Sequence, residues 1–268
     1  MKKTLLKLMA VIMILMTVFV ACDKNGDDNS NNPNNPSNPN NPNNPDNPNN
    51  PTVKLVSYII INGDILNYNY DAQNRLTSAV FHNNDTLATY TYVSANTIHV
   101  VWEGKKRILT LNSDGYIIKD QTNHGDYLFE YENDYLKKSS YNNNGKEESS
   151  SNFVWENGNL ISEQYKDEFG SVIRTETYSY GTIPYKATNI SPCAMPMMEY
   201  DWILPTSYFG KRTPQYLVSS IVINSIYEYE NGKSSSYRYE TNANGYVTKV
   251  YVKEDTQEEE LWYEIKYK

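Results

Sequence analysis

From residue 52 onward, apolar and polar positions alternate in short runs, and each run stops at a cluster of Asn, Asp or Gly. VKLVSYIII turns at Asn62, Gly63 and Asp64 into ILNYNYD, which turns again at AQN into RLTSAVFH. The rhythm continues through TLATYTYV, TIHVVWE, RILTLN, YIIKD, YLFEYE, YLKKSSY, SNFVWE, LISEQY and SVIRTETYSY, and resumes at LVSSIVINSIYEYE. A period of two is the strand period, and Asn-Gly, Asp-Gly and tripeptides ending in glycine supply the positive φ that tight hairpin turns need. About 15 or 16 strands follow from this pattern, with no amphipathic helix between them. Parallel neighbours would need crossovers of a dozen residues or more, so the expected fold is all-β, an antiparallel meander. So many strands predict a strongly curved sheet or a wide barrel-like wrap.

Tyrosine dominates the apolar positions. All 25 tyrosines and all four tryptophans lie in residues 52–268, many as i, i+2 pairs: Tyr68 and Tyr70, Tyr90 and Tyr92, Tyr178 and Tyr180, Tyr227 and Tyr229, Tyr237 and Tyr239. At that spacing both rings share one face of a strand, and recurrence throughout the domain points to cross-strand packing rather than to a single carbohydrate-binding stripe. A membrane-spanning barrel is disfavoured, because YLKKSSY, EESSSNFVWE and SVIRTETYSY place charged or small polar groups on both faces. The segment from Tyr70 to Leu76, YDAQNRL, resembles the YD repeats of RHS-type shell proteins, with Asn74 where that family prefers glycine.

Residues 181–220 break the rhythm and hold all five prolines of the domain. A short helix is expected around Met197 to Ile203, and the segment as a whole is expected to plug or cap the open side of the sheet. The alternative is a ligand cleft lined by Tyr200, Trp202, Tyr208 and Phe209.

The first 51 residues have another character. Lys2, Lys3 and Lys7 precede an apolar run from Leu8 to Ala21, the length of a signal-peptide core. The run ends FVAC, which resembles the lipobox of bacterial lipoproteins with Phe19 in place of leucine; that resemblance makes 1–21 a lipoprotein signal peptide and Cys22 the lipid-bearing first residue. Asp27 and Asp28 resemble the surface-export signal of Bacteroidetes-type lipoproteins. Seven triplets ending in proline then run from Asn31 to Pro51. Proline fixes its own φ and pushes the preceding residue toward extended conformations, so residues 22–51 read as a lipidated spacer. Its 21 triplet residues reach roughly 65 Å as polyproline II and roughly 25 Å as a flexible coil. The Tyr-rich hairpins, the insertion ending YFGKRTPQYL and the lipobox together resemble a Bacteroidetes lipoprotein domain of unknown function with a porin-like fold. That resemblance implies an architecture and an outer-membrane location, cell-surface exposed or on the periplasmic face, and no activity.

Charge and candidate chemistry narrow the picture little. The net charge is −8, and losing residues 1–21 leaves −11, which disfavours nucleic acid as a partner. Cys193 would be the lone cysteine after Cys22 is lipidated, so no internal disulfide is expected. His82, His99 and His124 fall in different hairpins without metal-ligand spacing, and no phosphate loop or nucleophile elbow is present. The acidic run from Glu254 to Glu260 reads as a hairpin tip rather than a calcium loop. Asp85-Thr86-Leu87 resembles a three-residue O-glycosylation acceptor, making Thr86 a candidate modification site. No cofactor or metal is expected. The reading that follows is a tethered binding or interaction module for a glycan, host or envelope partner, without enzymatic activity. Two alternatives remain at this level, a polysaccharide-acting enzyme using paired carboxylates and a structural subunit of an envelope complex.

Overall fold

A computed structural model describes residues 53–190, 204–210 and 216–268. The strands form eight hairpins, each an odd strand followed by an even one. The first four are β1 (Val56–Ile61) with β2 (Asp64–Tyr70), β3 (Leu76–Phe81) with β4 (Thr86–Ser94), β5 (Thr97–Trp102) with β6 (Lys105–Leu111), and β7 (Ile117–Gln121) with β8 (Asp126–Glu132). The next four are β9 (Tyr135–Asn143) with β10 (Lys146–Glu156), β11 (Asn159–Lys166) with β12 (Val172–Pro184), β13 (Tyr216–Ser225) with β14 (Ser234–Thr241), and β15 (Val247–Glu254) with β16 (Glu260–Tyr267). Every strand pairs antiparallel with its neighbour in sequence, and β16 pairs back onto β1, so the meander closes as a barrel of 16 strands. The curved wrap expected from the sequence is therefore a complete ring.

Turn chemistry explains the local structure. Asn62-Gly63, Asn144-Gly145 and Asn157-Gly158 all take positive φ at both residues, the type I′ pair that matches the twist of a two-residue hairpin. A longer turn recurs at Asp71–Arg75, Asn112–Tyr116, Asp167–Ser171 and Asn242–Tyr246. In each, the first side chain's Oδ1 accepts the backbone N–H groups two and four residues on. Gly115, Gly170 and Gly245 supply the positive φ at the fourth position, and Asn74 adopts φ 60° in its place. Asparagine tolerates that conformation, which is why the first repeat survives without its glycine.

The interior is apolar towards the base, and the outer face mixes charged and polar residues with exposed apolar ones, among them Val101, Ile108, Ile118, Val154 and Val222. Leu66, Tyr68, Ala88, Tyr90, Ile98, Val100, Val250, Tyr263 and Ile265 are all buried inward, alternating with exposed positions. Outward positions at mid-strand carry Thr89, Thr91, His99, Lys106, Glu130 and Arg238. Arg238 pairs with Glu259 at 2.8 Å and stacks on Tyr251 at 3.7 Å. A membrane-spanning barrel has the opposite polarity, and each Lys or Arg on its lipid face costs about 2–4 kcal/mol at the bilayer midplane.

One end of the barrel, here called the base, gathers the termini of the ring and the connection from β12 to β13. Seven aromatic side chains close it. Near the end of an even strand, each donates a hydrogen bond to the backbone oxygen of one of the first three residues of the odd strand of the same hairpin: Tyr70 to Val56, Tyr92 to Leu76, Tyr131 to Ile117, Trp155 to Leu136, Tyr180 to Leu160, Tyr239 to Val218 and Tyr267 to Val247. The bonds measure 2.6–3.0 Å. They are needed because hairpin strands splay there: the β1–β2 ladder stops at Tyr58↔Asn67 and the β13–β14 ladder at Ser220↔Ser236. In the eighth hairpin Leu111 stands in the aromatic position, and the β5–β6 ladder runs unbroken from Trp102↔Lys105 to Thr97↔Thr110.

The irregular segment lies across this end. Asn189 accepts from the Val56 N–H at 2.8 Å and donates to the Tyr70 hydroxyl at 2.7 Å, while Lys54 bridges to Thr188. A 3₁₀ turn at Thr206–Phe209 reaches the opposite wall, where Phe209 meets Phe129 edge-on at 5.8 Å and Gly210 pairs with Tyr135. Gly210 has φ 76°, and a Cβ there would sit 2.3 Å from the Asp134 carbonyl oxygen, so only glycine lets the segment lie this close. Ile190, Leu204 and Phe209 are buried, making this a cap over the mouth of a closed barrel rather than a cover for an open sheet edge. The helix expected around Met197 to Ile203 lies outside the described residues.

Tyr239→Phe should strand the buried Val218 carbonyl and lower stability by about 1–3 kcal/mol, whereas Tyr229→Phe, on a side chain 67% exposed, should change it by almost nothing. Urea denaturation of the two variants checks this, and equal midpoints would contradict it.

Candidate functional site

The other end, the rim, carries the hairpin tips, and the lumen beneath it is polar where the base is apolar. Counting inward positions along the even strands from the base, the third layer reads Leu66, Ala88, Arg107, Tyr127, Ser151, Glu176, Ser235 and Tyr263. In this layer charge appears at Arg107 of β6 and Glu176 of β12.

Two charged groups result, in different parts of the ring. On β6 and β7, Arg107 forms a two-pronged ion pair with Asp120, with Nε to Oδ1 at 3.1 Å. Arg107 also lies 4.9 Å from the centre of the Trp102 ring and 5.7 Å from that of Tyr127. Asp120 is fully buried and Arg107 nearly so, so the pair is matched charge for charge.

The second group sits on β10, β11 and β12. Glu163 is directly opposite both Phe153 and Glu176 in the ladders, and since Phe153 is buried inward, the two glutamates face the lumen side by side. The Tyr178 hydroxyl lies between them, 2.6 Å from Glu176 Oε2 and 3.4 Å from Glu163 Oε2. Arg174 donates to the other oxygen of Glu176 and lies 4.0 Å from Glu230. Burial raises the Glu163 pKa to about 7, with the Glu176 charge acting in the same direction and Ser151, Arg174 and Tyr178 opposing it. Burial and the same two carboxyls push the Tyr178 hydroxyl well above its usual range, so it stays protonated. The site is open to solvent on one side: the side chains of Arg174, Glu176 and Glu230 keep 35%, 20% and 24% of their surface.

Above this group the rim exposes rings. Phe169, at the tip between β11 and β12, is 82% exposed; Ile226, Tyr227 and Tyr229, in the next loop, are 67%, 45% and 67% exposed. The second loop is tied to the start of β12, because Ile226 N–H donates to Ile173 O at 3.0 Å and the Ser225 hydroxyl donates to the same oxygen at 3.2 Å. Tyr227 and Tyr229 were expected within a strand, but β13 ends at Ser225, whose hydroxyl accepts the Tyr227 N–H and starts a turn. Among the buried polar atoms left without a partner in the described residues are Trp102 Nε1 and the Oδ1 atoms of Asn142 and Asn143, the asparagines lying at the rim end of β9.

The residues singled out from sequence scatter. Phe209 is completely buried in the cap and presents no surface to a ligand; Tyr208 is partly buried beside it, its carbonyl 3.4 Å from the Tyr131 hydroxyl. Cys22, Cys193, Tyr200 and Trp202 lie outside the described residues. Thr86 is exposed at the start of β4. His82, His99 and His124 sit on the β3–β4 tip, the outer face of β5 and the β7–β8 tip. Among the described residues no three His, Cys, Asp or Glu side chains gather as a metal site, and Glu259 of the acidic tip is tied to Arg238.

Solved structures share this architecture. A porin-like protein from Bacteroides uniformis matches 81% of this chain and 99% of its own with a TM-score of 0.59 at 17% identity. A porin-like protein from Bacteroides vulgatus matches 80% and 99%, also with a TM-score of 0.59, at 12% identity. At those identities the likeness establishes the porin-like fold alone. No family model and no curated protein matches the chain.

Because folded Glu163 binds its proton more tightly than a free glutamate of pKa 4.5, its contribution to stability is complete below pH 4.5 and is lost as pH rises through 7. The protein should lose about 3 kcal/mol between pH 4.5 and 7.5 from this group, and Glu163→Gln should flatten that fall. Urea titrations at the two pH values test it; an unchanged slope in the variant would refute the assignment.

Proposed function

We propose that this barrel is an envelope-tethered binding module that takes a glycan at its rim. The observation that carries the reading is the exposure of Phe169, Tyr227 and Tyr229 on two rim loops that flank β12, the strand carrying Arg174 and Glu176 of the half-open group with Glu230. Flat rings flanked by carboxylates and a guanidinium match a polyhydroxylated ligand, whose apolar ring faces stack while its hydroxyls donate and accept. The polarity of the wall supports tethering rather than insertion. The chain also enters the barrel at the base, through Val56, so a lipid at Cys22 would lie on the capped side. With a spacer between, the rim faces outward.

Two measurements bear on this. A glycan array probed with the full chain should return binders, and Phe169→Ala with Tyr229→Ala should weaken them at least tenfold without moving the thermal midpoint; an empty array removes the reading. Cys22→Ser should abolish palmitate incorporation and release the protein from membranes, and whole-cell protease should cleave the wild type between residues 31 and 51. Protection in intact cells but not in lysed ones would place the barrel inside the outer membrane.

A further inference from the structure

The glutamate pair has a chemistry that binding alone does not use. Three observations belong together. The first is spacing: bonds of 2.6 and 3.4 Å meeting at the Tyr178 hydroxyl bring Glu176 Oε2 and Glu163 Oε2 within about 6 Å of each other. Carboxyl pairs that cleave glycosidic bonds with retention stand about 5–5.5 Å apart, whereas pairs that invert need about 6.5–9.5 Å. The second is asymmetry of partners. Arg174 donates to Oε1 of Glu176 and Tyr178 donates to Oε2, a set of contacts that a carboxylate accepts on both oxygens. Arg174 is bonded to Glu176 and acts on Glu163 only through its charge, and Glu163 faces Glu176 directly across the ladder, so the proton of the pair resides on Glu163. The third is access, since Glu176 keeps a fifth of its side-chain surface beneath the exposed rings of the rim.

We infer that Glu163 and Glu176 form a retaining glycoside-cleaving pair, with Glu163 as the acid and Glu176 as the nucleophile. The inference rests on the glycan-binding reading of the rim and adds a reaction to it. In the first half-reaction the Glu176 carboxylate attacks the anomeric carbon while Glu163 passes its proton to the glycosidic oxygen. The carbon–oxygen bond to the leaving sugar breaks, that sugar departs as an alcohol, and a glycosyl ester forms on Glu176. In the second, the Glu163 carboxylate takes a proton from water, whose oxygen attacks the same carbon and releases Glu176. The balance is one glycoside and one water to two hydroxyl-bearing sugars, and Glu163 ends protonated as it began. Tyr178 is a positioning residue: its hydroxyl orients Glu176 and remains protonated throughout. The groups facing the pair are Ser151 from β10, Arg174 and Tyr178 from β12, and, as a longer-range charge neighbour of Glu176, Tyr237 from β14.

The test uses the full chain and a panel of 2,4-dinitrophenyl 2-deoxy-2-fluoro glycosides of glucose, galactose, mannose and xylose. Their fluorine slows the second step, so a retaining nucleophile is trapped. Mass spectrometry should show one fluoroglycosyl group on the peptide bearing Glu176, absent from Glu176→Gln. Glu163→Gln should still be labelled, because dinitrophenolate leaves without acid help, but should lose at least 100-fold of its rate on the corresponding unactivated disaccharides. Circular dichroism and an unchanged thermal midpoint certify that both variants are folded. No label and no disaccharide hydrolysis, with array binding intact, would overturn the inference and leave the pair as a binding element. An empty array would instead overturn the glycan reading on which it stands.

Discussion

The bond from an aromatic tip to a backbone oxygen holds this barrel together. In the ladders, Tyr70 pairs with Leu76, Tyr131 with Leu136, Trp155 with Leu160, Tyr180 with Val218 and Tyr267 with Val56, each beside a bulge that puts one extra residue in the following odd strand. The same side chain reaches back to a carbonyl at the start of the preceding odd strand. Each aromatic therefore links three consecutive strands, and the links run round to Val56, where the ring closes. Bulges sharpen twist and splay strands, which leaves carbonyls unpaired; a buried carbonyl without a partner costs about 1–3 kcal/mol. Tyrosine and tryptophan fill the splayed space and satisfy the oxygen together. Leu111 shows the dependence from the other side, because the one hairpin without a polar tip is paired to its end.

That device acts only at the base, and the asymmetry of the molecule follows. With rings and the capping segment filling one mouth, the apolar core is concentrated there, and the rim is released from any packing duty. Sixteen strands enclose more space than side chains alone fill, which is why barrels of this size in membranes hold water. Here the excess is met by the cap below and by a polar lumen above.

Much of this was legible in the chain. Alternation and turn residues mark the 16 strands, and the i, i+2 tyrosines mark the inward face. Closure was not legible, because it depends on the pairing of Val56 with Tyr267 across the whole domain, and no local pattern encodes that distance. The aromatic links escaped notice for the same reason: the spacing from donor to acceptor varies between 14 and 21 residues with turn length. Glu163 and Glu176 lie in LISEQY and RTETYS, where a lone carboxylate among small polar residues looks like solvent face. Only their register with Phe153 reveals that they point inward. Tyr227 and Tyr229 misled in the opposite sense, since their spacing fits a strand and the Ser225 turn removes them from it.

The two lumenal charge groups differ in stoichiometry, and that difference separates structure from chemistry. Arg107 and Asp120 are one cation and one anion, joined by two bonds and enclosed by Trp102 and Tyr127; nothing is left over. Such a pair gains little from being buried, but removing either partner leaves the other uncompensated, so it fixes the wall without inviting a ligand. Glu163, Glu176 and Glu230 are three carboxyls around one guanidinium, Arg174. Two like charges on adjacent strands cannot both ionise cheaply in a half-buried site, and one proton must be held. That imbalance lies towards the rim, where the Arg174, Glu176 and Glu230 side chains keep contact with solvent, rather than beneath the sealed base, where an unmatched carboxyl would be costlier to hold.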